Sequence, residues 1–196
     1  LKNADNIQLH VGEKYLLALN DYDVIIKSPG VKLPNLDKSI FRKVTSQTDL
    51  FLGVFSSQTI GVTGTKGKST TASLINHILQ KCGKKSILIG NIGVPAFEML
   101  NNITSDTIVV YELSAHQLEY VHRSPHIAVL LNIFPEHLDY FDDEVGYQNA
   151  KHNIYKFQNS NDKLIIGSQV KNDLKNINAE LFCIDNSNID LELAYP

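Results

Sequence analysis

The sequence predicts an α/β fold in which helices cover both faces of a mainly parallel sheet. Short apolar segments alternate along the chain with amphipathic segments of helical period, which is the pattern of successive strand–helix units. The run Ile127-Ala128-Val129-Leu130-Leu131 has no polar alternation, as is typical of a parallel strand that is buried on both faces. A glycine-rich turn at 61–70 joins a β-branched strand to a helix, as in the phosphate-binding loops of such sheets.

The remaining elements follow from the periodicity in chain order. A first strand is predicted at 23–27, before the turn Ser28-Pro29-Gly30, and a polar connection that contains proline at 31–58. The main sheet is then built from predicted strands at 59–63, 86–90, 107–113, 127–133, 163–167 and 180–184. Helices are predicted at 68–82, 94–101, 115–122 and 144–158. Ligands of such sheets bind beyond the carboxyl ends of the strands, so the residues that follow each strand are the candidates for function.

The composition is typical of a soluble globular enzyme. The 196 residues are 43% hydrophobic, enough for one sizeable core or two smaller ones. A net charge of −3 gives no electrostatic reason to expect a nucleic acid or an anionic membrane surface as a partner. Cys82 and Cys183 make neither a disulfide framework nor a metal cluster, which favours a reducing cytoplasm.

The glycine-rich turn has the residue types that hold a polyphosphate. Gly64 and Gly67 leave the backbone N–H groups unobstructed, the following helix offers its positive end, and Lys68 supplies a cation for the β- and γ-phosphates. The hydroxyl of Ser69 is placed to ligate Mg²⁺. Val62 stands where the full Walker pattern has glycine, so a purely structural turn stays open as the alternative. The expected ATP contacts are Gly64, Thr65, Lys66, Gly67, Lys68, Ser69 and Thr70.

Polar side chains recur where the predicted strands end. Asn91 follows strand 86–90, Glu112 and Ser114 lie at the end of strand 107–113, and His137 follows strand 127–133. Because parallel strands bring their carboxyl ends to one edge, we expect these groups to converge near the phosphate loop. Each also has an ordinary alternative, as a turn amide, a solvated strand end or a helix-capping imidazole.

Lys151 stands close to the apolar stripe of the helix predicted at 144–158. That stripe is expected to consist of Tyr147, Ala150, Ile154 and Phe157. A lysine beside such a face must extend outward to solvent, pair with an anion or lose its charge. Outward extension is the default from spacing alone, and reaction with CO₂ to give an anionic carbamate is the functional alternative.

Five motifs, in this order, are similar to the central domain of the Mur ligases of peptidoglycan synthesis. They are Gly-Thr-Lys-Gly-Lys-Ser-Thr (64–70), Gly-Asn-Ile-Gly-Val-Pro (90–95), Glu-Leu-Ser-Ala-His-Gln-Leu-Glu (112–119), Leu-Asn-Ile-Phe-Pro-Glu-His-Leu-Asp (131–139) and Ala-Lys-x-x-Ile-Tyr (150–155). With Ser-Pro-Gly (28–30), they most resemble the D-glutamate-adding branch of that family. The sequence departs from the family pattern at Ala115, His116 and Glu136.

The resemblance implies an ADP-forming ligase that uses ATP and Mg²⁺. ATP would phosphorylate the carboxylate of UDP-N-acetylmuramoyl-L-alanine, and the amine of D-glutamate would then displace the phosphate. Catalytic roles are implied for Lys68, His137 and Lys151, and substrate contacts for Gly30, Asn91, Ser114 and His137. The implied metal ligands are Ser69, Glu112, His137 and Lys151, the last as a carbamate.

The resemblance also divides the chain into two parts. Residues 1–45 would be the remnant of an N-terminal, Rossmann-like UDP-binding domain, and 46–196 an ATP-binding central domain that is incomplete at its C-terminal end. Because the chain starts at Leu1 and stops at Pro196, we expect a fragment of a monomeric, cytoplasmic ligase that is not active alone. Two alternatives stay open: another Mur or folylpolyglutamate-synthase-like ligase, or a non-catalytic nucleotide-binding module.

Overall fold

The computed structural model describes residues 7–12, 15–33 and 37–185, and within these ranges the chain forms two parallel sheets. The small sheet pairs β1 (Ile25–Lys27) with β2 (Val44–Ser46). The large sheet contains β3 (Thr59–Thr63), β4 (Ser86–Gly90), β5 (Ile108–Glu112), β6 (Ile127–Leu130), β7 (Lys163–Gly167) and β8 (Glu180–Ile184). Its strand order is β4-β5-β3-β6-β7-β8, and every pair is parallel. The predicted α/β class is confirmed.

The six α-helices of the described residues differ greatly in length. The long helix α3 (Lys68–Lys81) follows β3, and the long helix α6 (Glu144–Lys156) precedes β7. The shorter helix α2 (Gln47–Phe55) precedes β3. Three single turns complete the set: α1 (Lys38–Phe41), α4 (Ala115–Leu118) and α5 (Leu138–Phe141). Shorter 3₁₀ segments lie at Tyr15–Asp21, Ser56–Gln58, Ala96–Asn102 and Ser168–Val170. Within the described residues no helix has the length and apolar character needed to span a bilayer.

The large sheet has a hydrophobic cluster on each face. On one face, Phe51 of α2 and Tyr147 and Ile154 of α6 pack with Tyr111 and other buried strand residues. On the opposite face, Ala72 of α3 packs with Val62, Val110 and Val129. Burial on both faces explains why these strands are apolar without alternation.

The position of β3 in the sheet fixes where a ligand can bind. β3 pairs with β5 on one side and with β6 on the other, so Val62 lies opposite both Glu112 and Val129. The chain runs from β3 to the edge strand β4, returns through β5 and then crosses to β6 on the other side of β3. This reversal of strand order opens a crevice at the carboxyl ends of the strands beside β3.

Several predicted elements differ from those observed. The stretch 31–58, predicted as a connection, contains α1, β2 and α2. The segment predicted as a helix at 94–101 is the 3₁₀ turn Ala96–Asn102, and the predicted helix 115–122 is the single turn α4. Phe157 is the C-cap of α6 and is exposed, whereas Tyr155 is buried in its place. The predicted division of the chain at residue 46 stays a prediction.

Candidate active site

The phosphate loop lies between the carboxyl end of β3 and the first turn of α3. Gly67 is the N-cap of α3 and has φ +84°, a conformation that favours glycine. Ser69 and Thr70 are exposed in the first helical turn, where backbone N–H groups lack helical partners. Lys68 Nζ folds back on the loop and donates to the Thr65 carbonyl oxygen at 3.1 Å. The loop therefore presents N–H groups and a cation on one side, as an anion site requires.

Glu112, the last residue of β5, is fully buried beside the phosphate loop. Its Oε1 accepts hydrogen bonds from Ser69 Oγ at 3.2 Å and from Asn91 Nδ2 at 3.3 Å. Its Oε2 is buried and has no hydrogen-bond partner among the described residues. Gly90 lets the β4 end approach this strand, because a Cβ there would lie 2.2 Å from the Glu112 carbonyl oxygen. A buried carboxylate oxygen without a donor is costly, and a bound cation would supply the missing partner.

Thr65 and Asn132 hold the phosphate loop in place, a role that the sequence did not reveal. Thr65 is buried, with its Oγ1 3.0 Å from Tyr147 Oη, and it accepts from the Phe134 N–H at 2.9 Å. The Asn132 amide pairs with the backbone of Lys66, accepting from its N–H at 2.9 Å and donating to its carbonyl at 3.0 Å. The available signal was an amide at the end of β6, one strand from the loop.

Lys151 is buried under the loop, so the default of outward extension is wrong. Only 1% of its surface is exposed, and its Nζ donates to the Gly64 carbonyl oxygen at 2.8 Å. Nζ also lies 4.8 Å from the centre of the Tyr147 ring. Burial, with a further contribution from the Lys68 ammonium, lowers the pKa of Lys151 to about 7. A substantial fraction of this amine is therefore uncharged, and nucleophilic, at neutral pH.

His137 lies in the turn between β6 and α5, on the exposed side of the site. It is the N-cap of α5 with φ +56°, and its Nε2 is 3.8 Å from Glu136 Oε2. Its ring lies 5.0 Å from the His116 ring and 6.2 Å from the Tyr147 ring, between centroids. Glu136 also pairs with Lys66 at 2.8 Å, and this hydrogen bond lowers the pKa of Glu136.

The remaining predicted substrate residues lie on three separate segments. The Asn91 side chain donates a hydrogen bond to Glu112. The Ser114 hydroxyl instead caps α4 by accepting from the Gln117 N–H at 3.3 Å. Gly30, at the turn after β1, has open space on its Cβ side. Among the described residues no group of three or more His, Cys, Asp or Glu side chains could hold a metal by itself. A metal site here would thus depend on hydroxyl, modified lysine or ligand oxygens.

A parallel sheet with a glycine-rich loop at its central strand, a buried carboxylate and a buried amine is an arrangement typical of nucleotide-binding domains. The sequence profile of the Mur ligase middle domain matches residues 62–190, more than half of the chain. The chain belongs to the Mur ligase family.

Curated relatives agree with this assignment. The UDP-N-acetylmuramoylalanine–D-glutamate ligase of Clostridium kluyveri is 40% identical over 178 residues, which is 87% of this chain and 38% of that protein. The ligase of the same name from Symbiobacterium thermophilum is 40% identical over 166 residues, 83% of this chain and 36% of that protein. The chain thus spans less than two-fifths of the length of these relatives.

Solved structures of the family share the fold. The MurF ligase of Thermotoga maritima, determined in complex with ADP, has a TM-score of 0.53 at 22% identity, covering 88% of this chain and 46% of that one. The UDP-N-acetylmuramate:L-alanyl-γ-D-glutamyl-meso-diaminopimelate ligase of Neisseria meningitides has a TM-score of 0.51 at 19% identity, covering 85% and 60%. These likenesses confirm the central-domain fold.

Proposed function

We propose that the chain is the ATP-binding part of a D-glutamate-adding Mur ligase, which joins UDP-N-acetylmuramoyl-L-alanine to D-glutamate in the cytoplasm. The observation that carries the proposal is the Glu112 carboxylate, buried beside the phosphate loop with Oε2 unpartnered among the described residues. The names of the 40% identical relatives support the choice of substrates. A family structure determined in complex with ADP supports a nucleotide as the ligand.

The proposed reaction has two steps. A carboxylate oxygen of UDP-N-acetylmuramoyl-L-alanine attacks the γ-phosphorus of ATP, so that ADP leaves and an acyl phosphate forms. The D-glutamate amine then attacks the acyl carbon, the C–O bond to phosphate breaks, and the amine loses a proton. Both steps gather negative charge in one place, so positioned cations and N–H donors are the main requirement.

The loop residues would hold the nucleotide. Lys68, now bonded to the Thr65 carbonyl at 3.1 Å, would turn to the β- and γ-phosphates, and N–H groups of residues 64–70 would bind their oxygens. Asn91, Ser114 and the backbone near Gly30 would hold the acceptor substrate.

The donor set at Glu112 fits a hard divalent cation, because it offers an unpartnered carboxylate oxygen beside the Ser69 hydroxyl. Ser69 and Glu112 would hold one Mg²⁺, and His137 with carbamylated Lys151 a second. When bound, Mg²⁺ would neutralise charge on the phosphoryl group and its acceptor. The carbamate would form when the uncharged Lys151 amine attacks CO₂ and releases a proton, so that the neutral amine becomes an anion.

The test measures ADP release by the protein that the longest open reading frame containing this chain encodes. We expect turnover only with UDP-N-acetylmuramoyl-L-alanine and D-glutamate together, and loss of turnover in Lys68→Ala. Turnover with L-lysine or meso-diaminopimelate instead of D-glutamate would place the protein in another Mur branch. Turnover with folate substrates alone would indicate a folylpolyglutamate-synthase-like ligase, and ATP binding without turnover a non-catalytic module.

A further inference from the structure

A buried ionic cluster of Lys27, Glu119 and Tyr140 lies outside the residues assigned above. The Lys27 side chain is 2% exposed, and its Nζ donates to Glu119 Oε2 at 3.0 Å and to Tyr140 Oη at 2.9 Å. The ammonium also lies 4.8 Å from the Tyr120 ring centre and 5.6 Å from that of Tyr140. Such burial of a lysine is costly unless the charge is fully paired, so the arrangement requires an explanation. We call these three residues the Lys27 cluster.

The three members of the Lys27 cluster come from segments far apart in the sequence. Lys27 ends β1 and directly precedes the turn Ser28-Pro29-Gly30, Glu119 is the C-cap of α4, and Tyr140 lies in α5 three residues after His137. The cluster therefore joins the small sheet to the segment after β5, through Glu119, and to the segment after β6, through Tyr140. Local structure does not demand it, since none of the three bonds is within one element.

Tyr140 holds the turn at 28–30 from both of its ends. Its hydroxyl accepts from Lys27 before the turn and lies 3.0 Å from the carbonyl oxygen of Val31 after it. The same hydroxyl is 2.8 Å from Glu119 Oε2, so its one proton is donated either to the carboxylate or to the carbonyl. Burial and the Glu119 carboxylate raise the pKa of Tyr140, which keeps the proton on the hydroxyl.

Tyr140 is also in contact with the imidazole that faces His137. The His116 ring packs edge-on against Tyr140 at 4.4 Å and against His137 at 5.0 Å between centroids. A shift of Tyr140 would therefore move both the His116 ring, which packs against His137, and the turn at 28–30.

We propose that the Lys27 cluster is a positioning device that fixes the turn at 28–30 relative to the His137 turn, so that both parts of the acceptor-substrate surface are aligned before the substrate binds. This inference rests on the proposed function for the identity of the acceptor. The coupling of the two turns is independent of the proposed function. Lys27, Glu119 and Tyr140 touch neither the phosphate loop nor Glu112 in any hydrogen bond of the described residues.

The first test measures the coupling in the 196-residue chain. Tyr140→Phe keeps the ring and removes the hydroxyl, and Lys163→Met is a matched control, because its ion pair with Glu180 at 2.8 Å lies at the far end of the sheet. We expect amide hydrogen exchange at Val31, Tyr140 and Phe141, whose N–H groups donate to the Ser28 and His137 carbonyl oxygens, to accelerate about tenfold in Tyr140→Phe and Lys27→Met. Affinity for ATP should stay within about twofold of the parent value, because the loop is untouched. Unchanged exchange in both variants would overturn the proposal.

The second test measures KM and kcat of the protein that the longest open reading frame containing the chain encodes. We expect the KM for UDP-N-acetylmuramoyl-L-alanine to rise about five- to tenfold in Tyr140→Phe, while kcat and the KM for ATP change less than about twofold. The charge-reversed double variant Lys27→Glu/Glu119→Lys should recover part of the loss seen in Lys27→Glu. Equal losses in kcat and in both KM values would show a merely structural role and overturn the proposal. Absence of turnover in the parent protein would contradict the proposed function, and the exchange measurement would then decide the coupling by itself.

Discussion

Lys151 Nζ donates a hydrogen bond to the carbonyl oxygen of Gly64 at 2.8 Å, so a buried amine of α6 supports the first residue of the phosphate loop. The two residues are 87 positions apart in the sequence. The contact places Lys151, the one buried lysine of α6, directly behind the phosphate loop. It also ties the protonation of that amine to the stability of the fold.

Lys151 should make stability rise with pH above neutrality. Its pKa is lowered to about 7 in the folded chain and is near its ordinary value of 10.5 when unfolded. Between these values the unfolded state holds a proton that the folded state lacks, so the free energy of unfolding increases with pH. The slope from this one group is at most about 1.4 kcal/mol per pH unit. Below pH 7 both states are protonated and the penalty stays at its maximum.

Urea unfolding of the parent and of Lys151→Met between pH 7 and 9 measures this slope, with CO₂ excluded. We expect the difference in unfolding free energy between the two proteins to move in favour of the parent as pH rises. Lys163→Met, whose lysine side chain is 42% exposed, serves as the control and should show no such trend. Parallel curves for Lys151→Met would contradict the lowered pKa.

Much of the large sheet could be predicted because its signals are local. The strands at 59–63, 86–90, 163–167 and 180–184 match the observed β3, β4, β7 and β8, since short apolar runs end at clear turn residues. The hydrophobic periodicity does not predict helix α2, although Ser46 and Asp49 form a capping pattern, with the Ser46 hydroxyl accepting from the Asp49 N–H. Its sequence, rich in phenylalanine and containing glycine, has weak helical preference, and its packing against Tyr111 decides its structure.

The site could be predicted in part for a similar reason. Parallel strands necessarily bring Asn91 and Glu112 to one edge, and the structure places them 3.3 Å apart. Strand order, by contrast, is a matter of long-range pairing, so the sequence alone did not show that the loop is held by Asn132 and Tyr147. The burial of Lys151 depended on the same information, because a helix face is identified by what packs against it.

Carbamylation of Lys151 is the second prediction. A buried amine with a pKa of about 7 is largely unprotonated above that pH and can attack CO₂. We expect ¹³C NMR of the chain in ¹³C-bicarbonate at pH 8 to show a carbamate signal that is lost in Lys151→Met and kept in Lys163→Met. Identical spectra for the parent and Lys151→Met would show that this lysine is not modified.

Lys68 should dominate the affinity for ATP. Its ammonium folds over the loop and donates to the Thr65 carbonyl oxygen, whereas the Lys66 side chain is 72% exposed and paired with Glu136. In calorimetric titrations of the chain we expect Lys68→Ala to weaken ATP binding by about tenfold or more, and Lys66→Ala by less than about threefold. Equal effects of the two substitutions would remove the special role of Lys68.

Glu112 should determine the effect of Mg²⁺ and not the stability of the fold. Glu112→Gln keeps the shape, so Ser69 and Asn91 retain an acceptor, but it removes the charge at the unpartnered Oε2. We expect Mg²⁺ to improve ATP affinity about tenfold less in Glu112→Gln than in the parent, with equal affinities in EDTA. Thermal unfolding should occur at the parent temperature or higher, because the Glu112 carboxylate has two neutral donors but no cationic partner among the described residues, and such a buried charge is costly. Exposed Glu98→Gln is the control, and a Mg²⁺ effect unchanged in Glu112→Gln would exclude the site.

Asp49 should contribute to stability through a buried carboxylate that joins α2 to β2 and to the segment after α4. Its side chain is 2% exposed and accepts from Thr45 Oγ1 at 2.9 Å, the His122 N–H at 2.7 Å and Arg123 Nη1 at 2.8 Å. Asp49→Asn keeps the volume but turns an amide N–H₂ toward donors, which leaves at least one of them unpaired in a buried site. We expect a loss of about 2 kcal/mol in the free energy of unfolding from urea curves, with ATP affinity of the folded chain unchanged. Asp23→Asn is the matched control, since Asp23 is exposed, and it should leave the midpoint unchanged. A midpoint for Asp49→Asn equal to that of the control would show that the three hydrogen bonds add nothing to the fold.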